Sequence, residues 1–182
     1  MIRIIAMCVA AASLAACSGG GNGAEGGTLV TVHGAIETVN RDRMDNTMEP
    51  LFRAYGLDFD TGYGLNAGAL GDLDQRSVRV AFPEGGERHV FTGPLVRDVV
   101  ALADPQGGTI TVTALDGYQR DIALDRVMEH DVILATHMDG QTLHLGGFGP
   151  AMLVWPRDTD DALAGMDDSD WVWGIFSIEV SE

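Results

Sequence analysis

The chain has 182 residues, 46% of them apolar and three of them tryptophan, enough for one domain with a sizeable core and too apolar for intrinsic disorder. Its 27 acidic side chains face 11 arginines, with no lysine, for a formal net charge of -16. That balance disfavours nucleic acid and anionic lipid as partners, since neutralising phosphates takes clustered cations, and it serves solubility instead.

Residues 1–17, MIRIIAMCVAAASLAAC, join a basic start at Arg3 to an apolar stretch too short to span a bilayer and then to small residues ending in Cys17. This is the order of a secretory signal rather than of a transmembrane helix. Leu14-Ala15-Ala16-Cys17 looks like a bacterial lipobox, which implies cleavage ahead of Cys17 and acylation of its sulfur. The alternative is a plain cleaved signal with an incidental cysteine. Acyl chains, at ~0.8 kcal/mol per buried methylene, would hold the protein on the periplasmic side of a bacterial membrane. Ser18 follows where an inner-membrane retention aspartate would stand, so the outer membrane is expected. Residues 18–27, SGGGNGAEGG, read as a flexible tether with a reach of roughly 18 Å, and the folded domain is expected to cover 28–182. The two cysteines are Cys8 and Cys17, so the domain has no thiol. Disulfides, thiolate nucleophiles, thiolate zinc sites and iron-sulfur clusters are thereby removed.

Along the domain, 28–39 alternates up to Gly34 and predicts a half-buried strand followed by a bend. In 44–57, Met48, Leu51, Phe52 and Tyr55 recur at helical spacing, with Gly56 as the stop. The glycines of 58–75 break any period and predict a loop. SVRVAF (77–82) and PEGGERHVF (83–91) read as a hairpin. Residues 93–108 carry an apolar helical face of Leu95, Val96, Val99, Val100 and Ala103 that ends before Pro105. Strands at 109–115 and 118–124 flank Asp116-Gly117, the strongest hairpin signal in the chain. A short helix at 125–130, a buried strand at 131–137, a turn into another at 139–145, and strands at 151–155 and 170–180 complete the series. Many short strands with a few short helices, in no strict alternation, predict an α+β domain with a mixed β-sheet.

FTGPLVRDVVALA (91–103), TALDGYQRDIALDRVMEHDVILATHMDGQTL (113–143) and GFGPAMLVWPRD (147–158), in that order, resemble the molybdopterin-binding oxidoreductase domain of the sulfite-oxidase type, and most closely its small secreted or lipoprotein members. The resemblance implies a mixed α+β sheet fold and, in active members, molybdenum held by the pterin dithiolene and one protein cysteine, with basic side chains on the cofactor phosphate. It places that cysteine at Ala81, Phe82 and Pro83, none of which replaces a soft thiolate donor. Members also carry an arginine or lysine ahead of a Gly-Pro pair, whereas Gly146, Gly147 and Phe148 precede Gly149 and Pro150 here. A glycine turn can still nest an anion through its amides. Tyr118, Gly146, Gly147, Gly149 and Pro150 are therefore the candidate cofactor-binding positions, against the reading that the turn only steers the chain into a strand and Tyr118 only packs.

His137, Asp139 and His144 form the candidate metal set: two imidazoles facing each other across the Asp139-Gly140 turn, with a carboxylate, would suit zinc or copper. The runs Asp158, Asp160, Asp161 and Asp167, Asp168, Asp170 offer a calcium reading but lack the glycine turn and closing glutamate of an EF-hand loop. Of Trp155, Trp171 and Trp173, an exposed pair would mark a docking patch. No catalytic residue is assigned and no cofactor is expected. The leading expectation is a non-catalytic envelope lipoprotein whose domain binds a periplasmic protein partner or a small ligand. The alternative is a molybdopterin-dependent oxidoreductase without a protein thiolate, which needs Arg79, Arg88, Arg97 and Arg120 around the cofactor.

Overall fold

The computed structural model describes residues 26–182, so the signal, Cys17 and most of the tether lie outside the described residues. In chain order the elements are β1 (Val30–Gly34), β2 (Arg41–Asp42), α1 (Pro50–Ala54), β3 (Thr61–Leu65), α2 (Ala67–Gly71), β4 (Gln75–Ala81), β5 (Arg88–Pro94), α3 (Val96–Ala101), β6 (Thr109–Ala114), β7 (Gln119–Ala123), α4 (Leu124–Glu129), β8 (Ile133–Ala135), β9 (His137–Met138), β10 (Gln141–Thr142), β11 (Met152–Val154) and β12 (Ile175–Ser181). Single 3-10 turns stand at Asp161–Leu163 and Asp168–Asp170. The strands form a six-stranded sheet in the order β2-β3-β1-β12-β6-β7, a four-stranded sheet β10-β9-β5-β4, and the pair β11-β8. In the larger sheet β1 runs parallel to β12 and the other neighbours are antiparallel, which is the mixed α+β arrangement the sequence predicts. Among the described residues no helix is long and apolar enough to cross a membrane.

Side chains from all three sheets meet in one core, with Val32 of β1, Phe91 of β5, Ile110 of β6, Leu134 of β8 and Leu153 of β11 among its members. The predicted face of α3 is what fixes that helix: Leu95, Val96, Val99, Val100 and Ala103 are all buried in this core. At ~25 cal/mol per Å² of apolar area removed from water, such faces hold elements of six residues that would not persist alone.

Two expectations change. β1 is buried on both faces, because its polar face, Thr31 and His33, is covered by a second cluster of Met44, Phe52, Leu57, Phe59 and Phe176. Periodicity reports which residues alternate, and it cannot report that α1 and the following loop fold over the polar side. Residues 58–75 are also not a loop, since they hold β3 and α2. β3 contains Gly62 and Gly64 because β1 and β2 crowd it: a Cβ at Gly62 would come within 3.1 Å of Thr31 Cγ2 and 3.3 Å of Arg41 Cγ. Asn66 caps α2 by accepting the Ala69 N–H at 2.8 Å. In α1, Phe52 faces inward while Met48, which precedes the helix, is 77% exposed.

His33 lies inside the second cluster, stacked on Phe59 at 4.8 Å between ring centroids and bonded through Nε2 to Ser177 Oγ at 2.8 Å. Burial, aided by the Arg41 cation, lowers its pKa from 6.5 to about 4. The folded state thus binds fewer protons than the unfolded state between these values, so His33 leaves stability intact above pH 6.5 and removes it as pH falls toward 4. Going from pH 7 to pH 5 is expected to cost ~2 kcal/mol through this residue. Denaturant titrations of the parent and of His33→Gln at both pH values check this, the variant losing that part of the slope. A His33 ring resonance that titrates near pH 6.5 in the folded protein would contradict it.

Candidate functional site

Behind the site stands a carboxylate hub. Asp170, 5% exposed, accepts from Arg120 through Nε at 2.9 Å and Nη2 at 2.6 Å, and from Arg126 Nη1 on its other oxygen. Its backbone carbonyl accepts the indole N–H of the fully buried Trp155 at 2.9 Å, and the Arg126 guanidinium lies 4.4 Å from that ring's centre. Arg157, also buried, donates to Asp168 Oδ1 at 2.6 Å, to the Met166 carbonyl at 3.0 Å and to the Ala81 carbonyl at 2.7 Å, with its guanidinium 4.4 Å over Trp171. The two arginine networks lock the Asp168–Asp170 turn to β4 and β7 and so fix the backbone on which the next residues stand.

In front of this scaffold is a cleft of about 230 Å³ lined by Phe82, Asp116, Tyr118, Asp168, Trp171 and Trp173. Phe82 stacks on Trp171 at 5.2 Å with an interplanar angle of 14° and meets Phe148 edge-on at 5.4 Å. Phe148 in turn touches Trp173 edge-on at 6.1 Å. Tyr118 OH donates to the Ser169 carbonyl at 2.9 Å, and Asp116 Oδ1 accepts the Tyr118 N–H at 3.0 Å, which sets the ring at the rim. Trp171 is 2% exposed, whereas Trp173 and Tyr118 are 41% and 46% exposed. The cleft thus has a buried aromatic floor and two accessible aromatic rims.

The sequence candidates are distributed around it. Tyr118 lines the cleft; no residue of the Gly146 to Pro150 turn does, Phe148 packing against the Phe82 and Trp173 rings and Pro150 lining a separate pocket with Phe52 and Phe176. Gly146 has φ +88°, and a Cβ at Gly149 would stand 2.5 Å from the Leu143 carbonyl oxygen, so these two glycines have backbone reasons to be there. His137, Asp139 and His144 are not brought together as a facing set. In the β9-β10 register Thr142, not His144, stands opposite His137, because the hairpin closes with Gln141 opposite Met138. His137 Nδ1 bonds Thr136 Oγ1 at 2.9 Å. Asp139 accepts the Val90 N–H at 2.9 Å and pairs with His89 Nδ1 at 2.7 Å, and these contacts hold its carboxyl below the usual carboxylate range. Among the described residues no three histidine, cysteine, aspartate or glutamate side chains are grouped so as to hold a metal ion. Four of the six aspartates in the two acidic runs are in ion pairs, Asp158 with Arg88, Asp160 with His130, Asp168 with Arg157 and Asp170 with its two arginines, and Asp167 accepts the Ser169 N–H at 2.8 Å.

Periodicity alone could not show the hub, since its members lie 15 to 50 positions apart. One signal was available: Trp171 and Trp173 stand two apart in sequence, and both line the cleft.

The cleft's residues do not fit a molybdenum-pterin group. The segment matched by resemblance to the metal-binding cysteine is Ala81, Phe82 and Pro83, and the Phe82 ring fills its side of the cleft against Trp171. The described chain carries no thiol. Of the four arginines such a cofactor would call on, Arg88 is held by Asp158 at 2.8 Å, Arg97 by Asp131 at 2.7 Å and Arg120 by Asp170, while Arg79 is exposed on β4 and does not line the cleft. The charged side chains on the wall are Asp116 and Asp168; Asp168 is paired with Arg157, and Asp116 repels an anionic phosphate.

Comparison with known proteins bears on this arrangement. The family described as "Oxidoreductase molybdopterin binding domain" matches residues 81–172. No curated protein matches the sequence. Among solved structures, the sulfane dehydrogenase SoxCD from Paracoccus pantotrophus is similar with a TM-score of 0.56 at 16% identity, over 84% of this chain and 37% of that one. The chain therefore spans well under half the length of that relative, and the likeness is one of fold. With half of its length matched and the fold shared, the chain belongs to the oxidoreductase molybdopterin binding domain family and has its sulfite-oxidase-type architecture.

Proposed function

We propose that this is a lipoprotein of the bacterial envelope, held through Cys17 on the periplasmic side of the outer membrane, whose sulfite-oxidase-type domain binds a small ligand rather than running molybdenum chemistry. One observation carries the reading: Phe82 stacks on Trp171 where the resemblance puts a metal-binding thiolate, in a domain without cysteine. The arginines add to it, since the hub and the flanking ion pairs spend their guanidinium groups on the protein's own carboxylates. What remains is a rigid aromatic cleft of a size suited to a small molecule.

Protein made in a molybdenum-replete host tests this by elemental analysis together with native mass spectrometry. The expected result is substoichiometric molybdenum, no pterin mass, and an N-terminal mass showing acyl chains on Cys17. Molybdenum in proportion to protein, or turnover of a sulfite or sulfoxide substrate in proportion to bound metal, would overturn the non-catalytic part. An unacylated mature chain would overturn the anchor.

A further inference from the structure

We infer that the aromatic cleft is a binding site for a small organic cation of the quaternary ammonium class. This rests on the reading above that the cleft serves a small ligand. Most polar groups of the cleft are spent within the protein, the buried Trp171 indole N–H excepted. Tyr118 OH is spent on the Ser169 carbonyl, and Arg157, the cation closest to the floor, is spent on Asp168 and two carbonyls. Asp168 is matched by Arg157 and also accepts the Glu84 N–H at 2.8 Å. Asp116 has no ion pair among the described residues, and it accepts the local hydrogen bond from Tyr118 N–H. The cleft therefore presents an unmatched carboxylate at its rim and no free guanidinium, inside a chain of net charge -16.

Its walls are Phe82, Tyr118, Trp171 and Trp173; Trp171 already carries Phe82 and the Arg157 guanidinium, so the exposed rims Tyr118 and Trp173 supply the open aromatic faces. Aromatic faces attract cations through their quadrupoles, most strongly tryptophan, and a quaternary ammonium adds methyl groups that bury well against such rings. An anion meets the Asp116 carboxylate and no free guanidinium here, with the buried Trp171 indole N–H as an unpartnered donor. A cation gains from the rings and from Asp116 together, and the -16 field raises its local concentration. A cleft of about 230 Å³ limits the ligand to a compact molecule and excludes a drug-sized one. The two exposed rims, Tyr118 and Trp173, leave that molecule a way in.

The probes are choline, tetramethylammonium and the neutral carbon isostere of choline, dimethylbutanol, added to the full chain in non-ionic detergent. Binding is read by tryptophan fluorescence and calorimetry, with molybdenum measured on the same sample. Both cations are expected to bind saturably and choline to bind about tenfold more tightly than the isostere. Asp116→Asn removes most of that preference while leaving the isostere unchanged. Trp173→Ala abolishes binding, with circular dichroism confirming that this exposed position has not cost the fold. Equal affinity for choline and its isostere, no saturation by about 10 mM, or full binding by Trp173→Ala would overturn the inference on a molybdenum-free sample. Stoichiometric molybdenum in the sample would instead overturn the reading beneath it.

Discussion

Replacing Trp155 by alanine is expected to lower the unfolding free energy by about 4 kcal/mol. The indole is fully buried, carries the Arg126 guanidinium 4.4 Å from its centre, and donates to the Asp170 carbonyl at 2.9 Å. Truncation thus opens a cavity, removes the surface on which a charge rests, and leaves a buried carbonyl without its donor. Trp155→Phe separates these terms: most of the ring volume stays, and the loss should fall to about 1–2 kcal/mol for the hydrogen bond and the smaller ring. Denaturant unfolding at pH 7 measures both. The same substitution is expected to weaken the cleft, because Asp170 anchors the turn whose Ser169 carbonyl receives Tyr118 OH. A Trp155→Ala protein within about 1 kcal/mol of the parent would mean that the site collapses around the smaller side chain and that the hub is held without it.

Gly93→Ala is expected to cost about 3 kcal/mol, a fall in Tm of roughly 6–12 °C. Gly93 lies in β5 where it passes β8, and an added Cβ would stand 2.0 Å from the Leu134 carbonyl oxygen and 2.8 Å from Ala135 Cα. Both are backbone atoms of a fully buried strand, so relief requires parting β5 from β8 and losing the Thr136 N–H bond to the Thr92 carbonyl, 3.0 Å long. Gly71→Ala is the control. Nothing lies within 4 Å of its added Cβ at the end of α2, and alanine there should stabilise by roughly 0.5 kcal/mol. Thermal unfolding of the two variants side by side distinguishes close approach from a general intolerance of substitution at glycine.

Where one local rule decides the structure, the sequence was readable. The Asp116-Gly117 turn does join β6 to β7, with Gly117 at φ +88°, and the spacing of Leu95, Val96, Val99, Val100 and Ala103 did mark the buried face of α3. Where a neighbour decides, it was not. β3 carries glycines because Thr31 and Arg41 crowd it, and that crowding is tertiary, so the residues looked like a loop. The polar face of β1 looked solvated because nothing local says that Phe52 and Phe59 will cover it. The same divide runs through the site. The missing thiol and the unusual Phe82 were visible as residue types, whereas the pairing of Arg120 and Arg126 on one aspartate, and of Phe82 with Trp171, exists only once β4, β7, α4 and the Asp168–Asp170 turn have met. His137 and His144 failed to face each other for a smaller reason, a hairpin register that puts Thr142 in the opposing place.

The parallel neighbour of β1 is β12, the last of the described strands in chain order. β12 lies between β1 and β6, so until residues 175–181 exist, two central strands each expose a row of unpaired amides and carbonyls. Such bare edges invite pairing with other chains, and contacts this far apart in sequence form late. Folding of this domain is thereby deferred until residues 175–181 have been made, and removing β12 should turn a well-packed fold into an aggregation-prone one.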